Sequence, residues 1–215
     1  MSIRSRTFAA LPHVLALAVG LAAAPSAHAQ DRRLVERLDP GIATAVLALV
    51  DSAHALELPT EPIVQKALEG QSKGASGAAI VAAVRALIHD LVAARTALGG
   101  DVSADVLLVA AAVLEAGGTP AQLERLRPHR SNKAFAGGLA GMAYLMSRGV
   151  KAEHSLDLIT AMMKAGLPER AYTSLQQLVE RDMMAGAPAA EAATVRVNAL
   201  IRHGPSRGPG GGSRP

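Results

Sequence analysis

The sequence has no cysteine and no tryptophan. No cysteine means no disulfide framework, no thiolate metal site and no cysteine nucleophile, so stability has to come from burial alone. Aromatics are nearly as scarce: beyond the first thirty residues only Phe135, Tyr144 and Tyr172 remain. Three rings cannot build a base-stacking platform, nor a sugar site made of stacked faces. An excess of one charge is also missing. The formal net charge is +4, but Arg4 and Arg6 precede an apolar run, and Arg207 and Arg214 lie in the closing segment GPSRGPGGGSRP. With those four set aside, 18 basic residues balance 18 acidic ones. Nucleic-acid binding needs Lys and Arg clustered on the binding surface, so no nucleic-acid partner is expected. No segment shows convincing strand alternation.

Two basic residues, a mostly apolar stretch from Phe8 to Ala24 and an A-x-A pattern ending at Ala29 have the form of a secretory signal peptide spanning 1–29. The apolar run is interrupted by Pro12 and His13 and is shorter than the roughly 20 residues a spanning helix needs. Cleavage between Ala29 and Gln30 is expected to leave an exported chain, periplasmic or secreted, without a transmembrane segment. Its 186 residues suit one domain over 30–203, followed by a tail over 204–215 whose composition cannot form a packed core.

What the chain has in abundance is helical periodicity. Ile80, Val84, Leu87, Leu91, Ala94 and Leu98 recur at spacings of four and three and mark one apolar stripe on a helix from Ser76 to Leu98. Ala78, Ala79, Ala82, Ala83, Ala86 and Ala93 line its other side, so it is expected to be a central helix buried on much of its circumference. Ile42, Val46, Leu49, Ala53 and Leu56 repeat the pattern behind Asp39-Pro40, a cap and a first helical residue. Further helices are expected over 104–116, 132–147, 152–165, 169–185 and 189–202, with shorter ones near 31–38, 61–69 and 121–127. The fold class is therefore all-α, about ten helices in an irregular bundle or a short solenoid-like array of helix pairs.

Regular punctuation separates these helices. Gly74-Ala75-Ser76, Gly118-Thr119-Pro120, Gly149-Val150-Lys151, Gly166-Leu167-Pro168 and Gly186-Ala187-Pro188 each pair a helix-stopping glycine with a helix-starting residue, and Asp101-Val102-Ser103 does so without the glycine. A shift of 48 residues aligns Val102 with Val150, Ala104 with Ala152, Leu108 with Leu156, Gly118 with Gly166 and Pro120 with Pro168, without a gap. This is either an internal duplication or shared turn chemistry.

Gly70-Gln71-Ser72-Lys73-Gly74 fits G-x-S-x-G, the elbow that presents a nucleophilic serine between a strand and a helix. Here a helical segment precedes the serine, so a hydrolase acting through Ser72 ranks third among the functional readings. Lys66, Glu69, Lys73 and Ser76 are the candidate binding residues: Lys73 and Ser76, with Gly70 and Gly74, can cradle an anion at the start of the Ser76 helix, or Lys66, Glu69 and Lys73 form a surface charge ladder. Arg125, Arg127, Arg130 and Lys133 form a basic patch that can meet an anionic polymer or serve as a solvated connection. Every methionine after Met1 lies between Met142 and Met184; thioethers can hold Cu(I), but Met also fills irregular core gaps. No cofactor and no specific metal residue is assigned. Gly137, Gly138 and Gly141 each cost roughly 1 kcal/mol inside a helix, which requires either close helix packing or a break.

Lys66-Ala67-Leu68-Glu69-Gly70 followed by Lys73-Gly74, and the long helix closing on Ala94-Arg95-Thr96-Ala97-Leu98, resemble a group of uncharacterised exported bacterial proteins. The resemblance extends through Arg148-Gly149-Val150. It implies export and a helical fold and carries over no functional residue. The leading expectation is a non-enzymatic protein of the bacterial envelope that contacts an envelope protein or a copy of itself. An anion- or metal-binding protein is the alternative.

Overall fold

The structure is a computed structural model that describes residues 27–203. The expected signal segment before Ala27 and the tail from Gly204 lie outside the described residues. Ten α-helices and no strand occur within them. In chain order they are α1 (Ala27–Arg37), α2 (Pro40–Ala55), α3 (Glu61–Ser72), α4 (Gly77–Leu98), α5 (Ala104–Glu115), α6 (Pro120–Leu126), α7 (Phe135–Ser147), α8 (Ala152–Lys164), α9 (Glu169–Met184) and α10 (Ala189–His203). A 3-10 turn, Arg127–His129, follows α6. The first helix runs across the peptide bond after Ala29, where cleavage is expected.

Neighbours in sequence are mostly neighbours in space. The first three helices pack on one another, and α2 and α3 also on α4; α5 lies between α4 and α7; α8 and α9 flank α7; and α10 closes the far end against α8 and α9. One continuous aliphatic core runs through this array, from Leu34 to Leu200.

Six helices end in the same way. In α2, α3, α5, α7, α8 and α9 the second amide past the cap returns to the carbonyl five residues earlier: Leu58 to Ala53, Ala75 to Gly70, Gly118 to Val113, Val150 to Leu145, Leu167 to Met162 and Ala187 to Asp182, at 2.9–3.2 Å. This Schellman geometry puts the intervening residue in the left-handed region. Five of the six use glycine there; the sixth uses Glu57, at φ 56°. A side chain in that conformation costs about 1–2 kcal/mol that glycine avoids. Against glycine's greater entropy loss, Glu57→Gly is expected to stabilise the protein by about 0.5–1 kcal/mol, read as a higher urea midpoint at unchanged slope.

The punctuation differs from expectation at one place. The left-handed glycine ending α5 is Gly117, and Gly118 takes the next position, where a Cβ would lie 2.7 Å from both Val113 Cγ1 and the Val113 carbonyl oxygen. The corresponding position after α8 is Leu167. Ala104 and Ala152 both open their helices, but α8 is one residue longer than α5. The 48-residue correspondence therefore slips by one before the turns and is not gap-free in three dimensions.

The reading of α4 is also corrected. Ile80, Val84, Leu91, Ala94 and Leu98 are buried as the stripe requires, but Ala78, Ala79, Ala82 and Ala86 are exposed. Among the described residues no helix covers these alanines, because α2, α3, α5 and α6 pack on the rest of α4. It is the one helix among the described residues long and apolar enough to cross a membrane, a property a core helix shares.

The three glycines of α7 do not break the helix. Gly137, Gly138 and Gly141 are buried and form the surface against which α8 and α9 close. A Cβ on Gly141 would meet Ile159 Cδ1 at 3.1 Å and Tyr172 Cδ1 at 3.6 Å, and Tyr172 Cε1 lies 3.6 Å from the same point on Gly138. The Tyr172 ring thus reaches the core through space that side chains would fill. Its hydroxyl is buried with no hydrogen-bond partner, and burial, followed by the charge of Glu169, pushes its pKa up to about 12. An unsatisfied buried hydroxyl costs about 1–3 kcal/mol. Tyr172→Phe, which keeps the ring, is therefore expected to raise stability by about 1 kcal/mol in urea unfolding; a loss would reveal a buried partner for the hydroxyl.

Candidate functional site

The four candidate binding residues on α3 and α4 do not converge on one point. Lys73 pairs with Glu69 one turn earlier on α3, as the ladder predicts. That pairing, helped by the charge of Lys66, holds the Glu69 carboxyl below its ordinary value. Lys66 itself leaves the ladder and reaches Glu115 at the end of α5, 2.7 Å away. The Ser76 hydroxyl accepts the Ala79 amide at 3.3 Å, as an N-cap does. Both lysines and the serine are thus engaged by the protein's own groups.

GQSKG straddles a helix end. Gly70, Gln71 and Ser72 form the last residues of α3, Lys73 caps it and Gly74 starts the turn. The Ser72 hydroxyl donates to the Glu69 carbonyl at 2.8 Å. Among the described residues no strand leads into it, so the strand-turn-helix context of a nucleophile elbow is missing there.

The basic patch is divided. Arg125 donates to Glu153 at 2.6 Å and lies 3.8 Å from Asp157, fixing α6 to α8. Glu153 also accepts the Gln122 amide at 2.7 Å; these two donors, Gln122 first, hold its carboxyl below the usual range. Arg130 donates to the Leu98 carbonyl at 3.2 Å. Arg127 and Lys133 are exposed. Of the six methionines after Met1, Met142, Met146, Met162 and Met163 are buried in the core, and Met183 is half-buried. Met184, at 84% exposure, stands out on the surface.

Met184 marks a site the sequence reasoning missed. The C-terminal halves of α7 and α9 bound an open groove of about 540 Å³, lined by Tyr144, Arg148, Gln176, Gln177, Glu180, Arg181 and Met184. A second groove, of about 440 Å³, lies on the other side of Tyr144, between α5 and α7, and is lined by Ala112, Glu115, Ala116, Ala143 and Ser147. Tyr144 borders both. Its hydroxyl donates to Glu180 Oε2 at 2.7 Å; Arg148 holds the same carboxylate at 2.9 Å and places its guanidinium 5.3 Å from the Tyr144 ring centre. Partial burial and, next, the Glu180 hydrogen bond keep the phenol protonated above its ordinary range. The floor is apolar and the rim carries both charges, a surface suited to an amphipathic segment.

Glu115 of the second groove is the partner of Lys66, but none of the candidate residues named from the sequence lines either groove. The first groove was legible only as spacing: Tyr144 with Arg148, and Gln176, Glu180 and Met184, recur at intervals of four, one face of each helix. The sequence does not show that α7 and α9 turn these faces toward one another: Gly137, Gly141, Tyr144 and Arg148 follow at spacings of four, three and four on one side of α7, but which helix packs on that side is not local information. No family model, curated protein or solved structure matches the chain.

Proposed function

We propose that this is a non-enzymatic, exported helical protein that binds a partner protein of the bacterial envelope through the groove on both sides of Tyr144. The observation that carries the reading is that the two grooves share Tyr144, a half-buried ring held by Arg148 and Glu180 between two apolar floors. Binding energy at such surfaces concentrates in Tyr, Arg and other large side chains at the centre, with a polar rim excluding water. An amphipathic helix lays its apolar face into such a groove. The anion and Cu(I) readings draw less support, since Lys66 and Lys73 are held by Glu115 and Glu69 and four methionines are in the core.

The test is a pull-down from solubilised envelope with wild type, with Tyr144→Ser and with Met184→Glu, alongside a variant in which Lys66, Glu69 and Lys73 are all alanine. Partners retained by the triple variant and lost by both groove variants support the reading. Partners unaffected by the groove variants overturn it.

A further inference from the structure

We infer that the outward face of α4 is the contact surface for a second copy of this chain, the two α4 helices lying side by side and parallel about a two-fold axis. Ala79, Ala82, Ala86, His89, Ala93 and Thr96 follow one another at spacings of 3, 4, 3, 4 and 3. All are exposed except Ala93, which is half-buried. This is the seam of a heptad pattern. Beside it runs an open groove of about 400 Å³, floored by Ile42 and Ala45 of α2 and by Val81 and Ala82 of α4, with room for a partner's side chains.

The charges select the occupant and its direction. Arg85 and Asp90 stand on opposite shoulders of the seam. Five residues apart, they are about 140° apart around the helix and cannot meet on one chain. Arg85 is exposed and forms no ion pair among the described residues. Asp90 meets only its neighbour, His89, at 3.3 Å. In a parallel pair, Arg85 of each copy faces Asp90 of the other, with the five-residue offset that charges flanking a heptad seam use. In an antiparallel pair the two Arg85 side chains share one flank and the two Asp90 side chains the other, so opposite charges do not meet.

The area is sufficient. α4 is about 33 Å long, and with the flank of α2 the face is roughly 20 Å wide at usual helix separations. Two copies then bury on the order of 1,300 Å², within the range of specific dimers. A bilayer is the other surface a long apolar helix can meet, but Arg85 and Asp90 on its shoulders would be costly in hydrocarbon.

Sedimentation velocity of the purified protein from about 1 to 100 µM, the range where moderate dimers dissociate, is expected to show a dimer. Arg85→Asp is expected to weaken it at least about tenfold, because two attractive contacts become repulsive, and adding Asp90→Arg to restore it. A second measurement does not depend on charge. Since the chain has no cysteine, Ala86→Cys introduces a single thiol beside its own counterpart at the axis, and mild oxidation is expected to give a disulfide-linked dimer. Gln177→Cys, on α9, is expected to stay uncrosslinked. A monomer throughout the range, a double variant as weak as the single one, or no crosslink at Ala86→Cys overturns the inference. So does a monomeric wild type that floats with phosphatidylglycerol vesicles, which would assign the face to the membrane.

Discussion

Gly141→Leu is expected to lower stability by about 3 kcal/mol, the upper part of the usual range for overpacking a core. Even a Cβ at this position meets Ile159 Cδ1 at 3.1 Å, and the Tyr172 ring lies close behind. The three further carbons of leucine would have to enter the space that ring fills, between two helices that also carry Leu139, Met142 and Leu175 in the core. Neither the ring nor the α7 backbone can step aside without opening the contact with α9. Gly141→Ala provides the contrast. Its contact is tight by a few tenths of an ångström, while alanine gains about 1 kcal/mol of helix propensity over glycine. The two effects nearly cancel, so this variant is expected within about 1 kcal/mol of wild type. Urea unfolding followed by circular dichroism separates the cases; a Leu variant as stable as the Ala variant would show that α7 and α9 are not in close contact.

Leu91→Ala is expected to cost about 2–5 kcal/mol, the range for truncating a fully buried leucine. Leu91 is at 0% exposure on the inner face of α4, where the neighbouring helices leave no route for collapse into the space vacated. Ala79→Gln, three turns earlier on the same helix but on its exposed face, is expected to stay within about 0.5 kcal/mol in the monomer. Large losses for both variants would return α4 to the central position, buried on much of its circumference, that its composition suggested.

That contrast shows what could be read from the sequence and what could not. The stripe from Ile80 to Leu98 was legible because large aliphatics at spacings of four and three bury themselves on any helix. The alanines opposite were ambiguous, since alanine suits equally a close contact and an open face, and only the tertiary arrangement separates the two. Helix ends were legible because glycine followed by an apolar residue and a cap is local chemistry; Val150 and Leu167 are buried after their glycines as that pattern requires. Two adjacent glycines defeated it after α5, where local rules do not say whether Gly117 or Gly118 turns. Glu57 carried no signal, because its φ is imposed by the burial of Leu58 and of the α2 core and not by its own preference. Lys66 was legible as a helical residue, but its partner, Glu115, is 49 residues away. The Tyr144 groove escaped for the same reason: its two walls belong to α7 and α9, and their approach depends on how Tyr172 seats against glycine.

The repeated helix endings, with helices packed mostly on those one or two places away in the chain, also bear on how quickly this protein folds. A turn that fixes its own direction lets pairs such as α3–α4, α7–α8 and α9–α10 close over a short loop, so little chain entropy is lost before the first contacts stabilise. Chains organised this way reach the native state in microseconds to milliseconds. The α7–α9 pairing around Tyr172 closes across an intervening helix, and it is there that the slowest step of assembly is expected to fall.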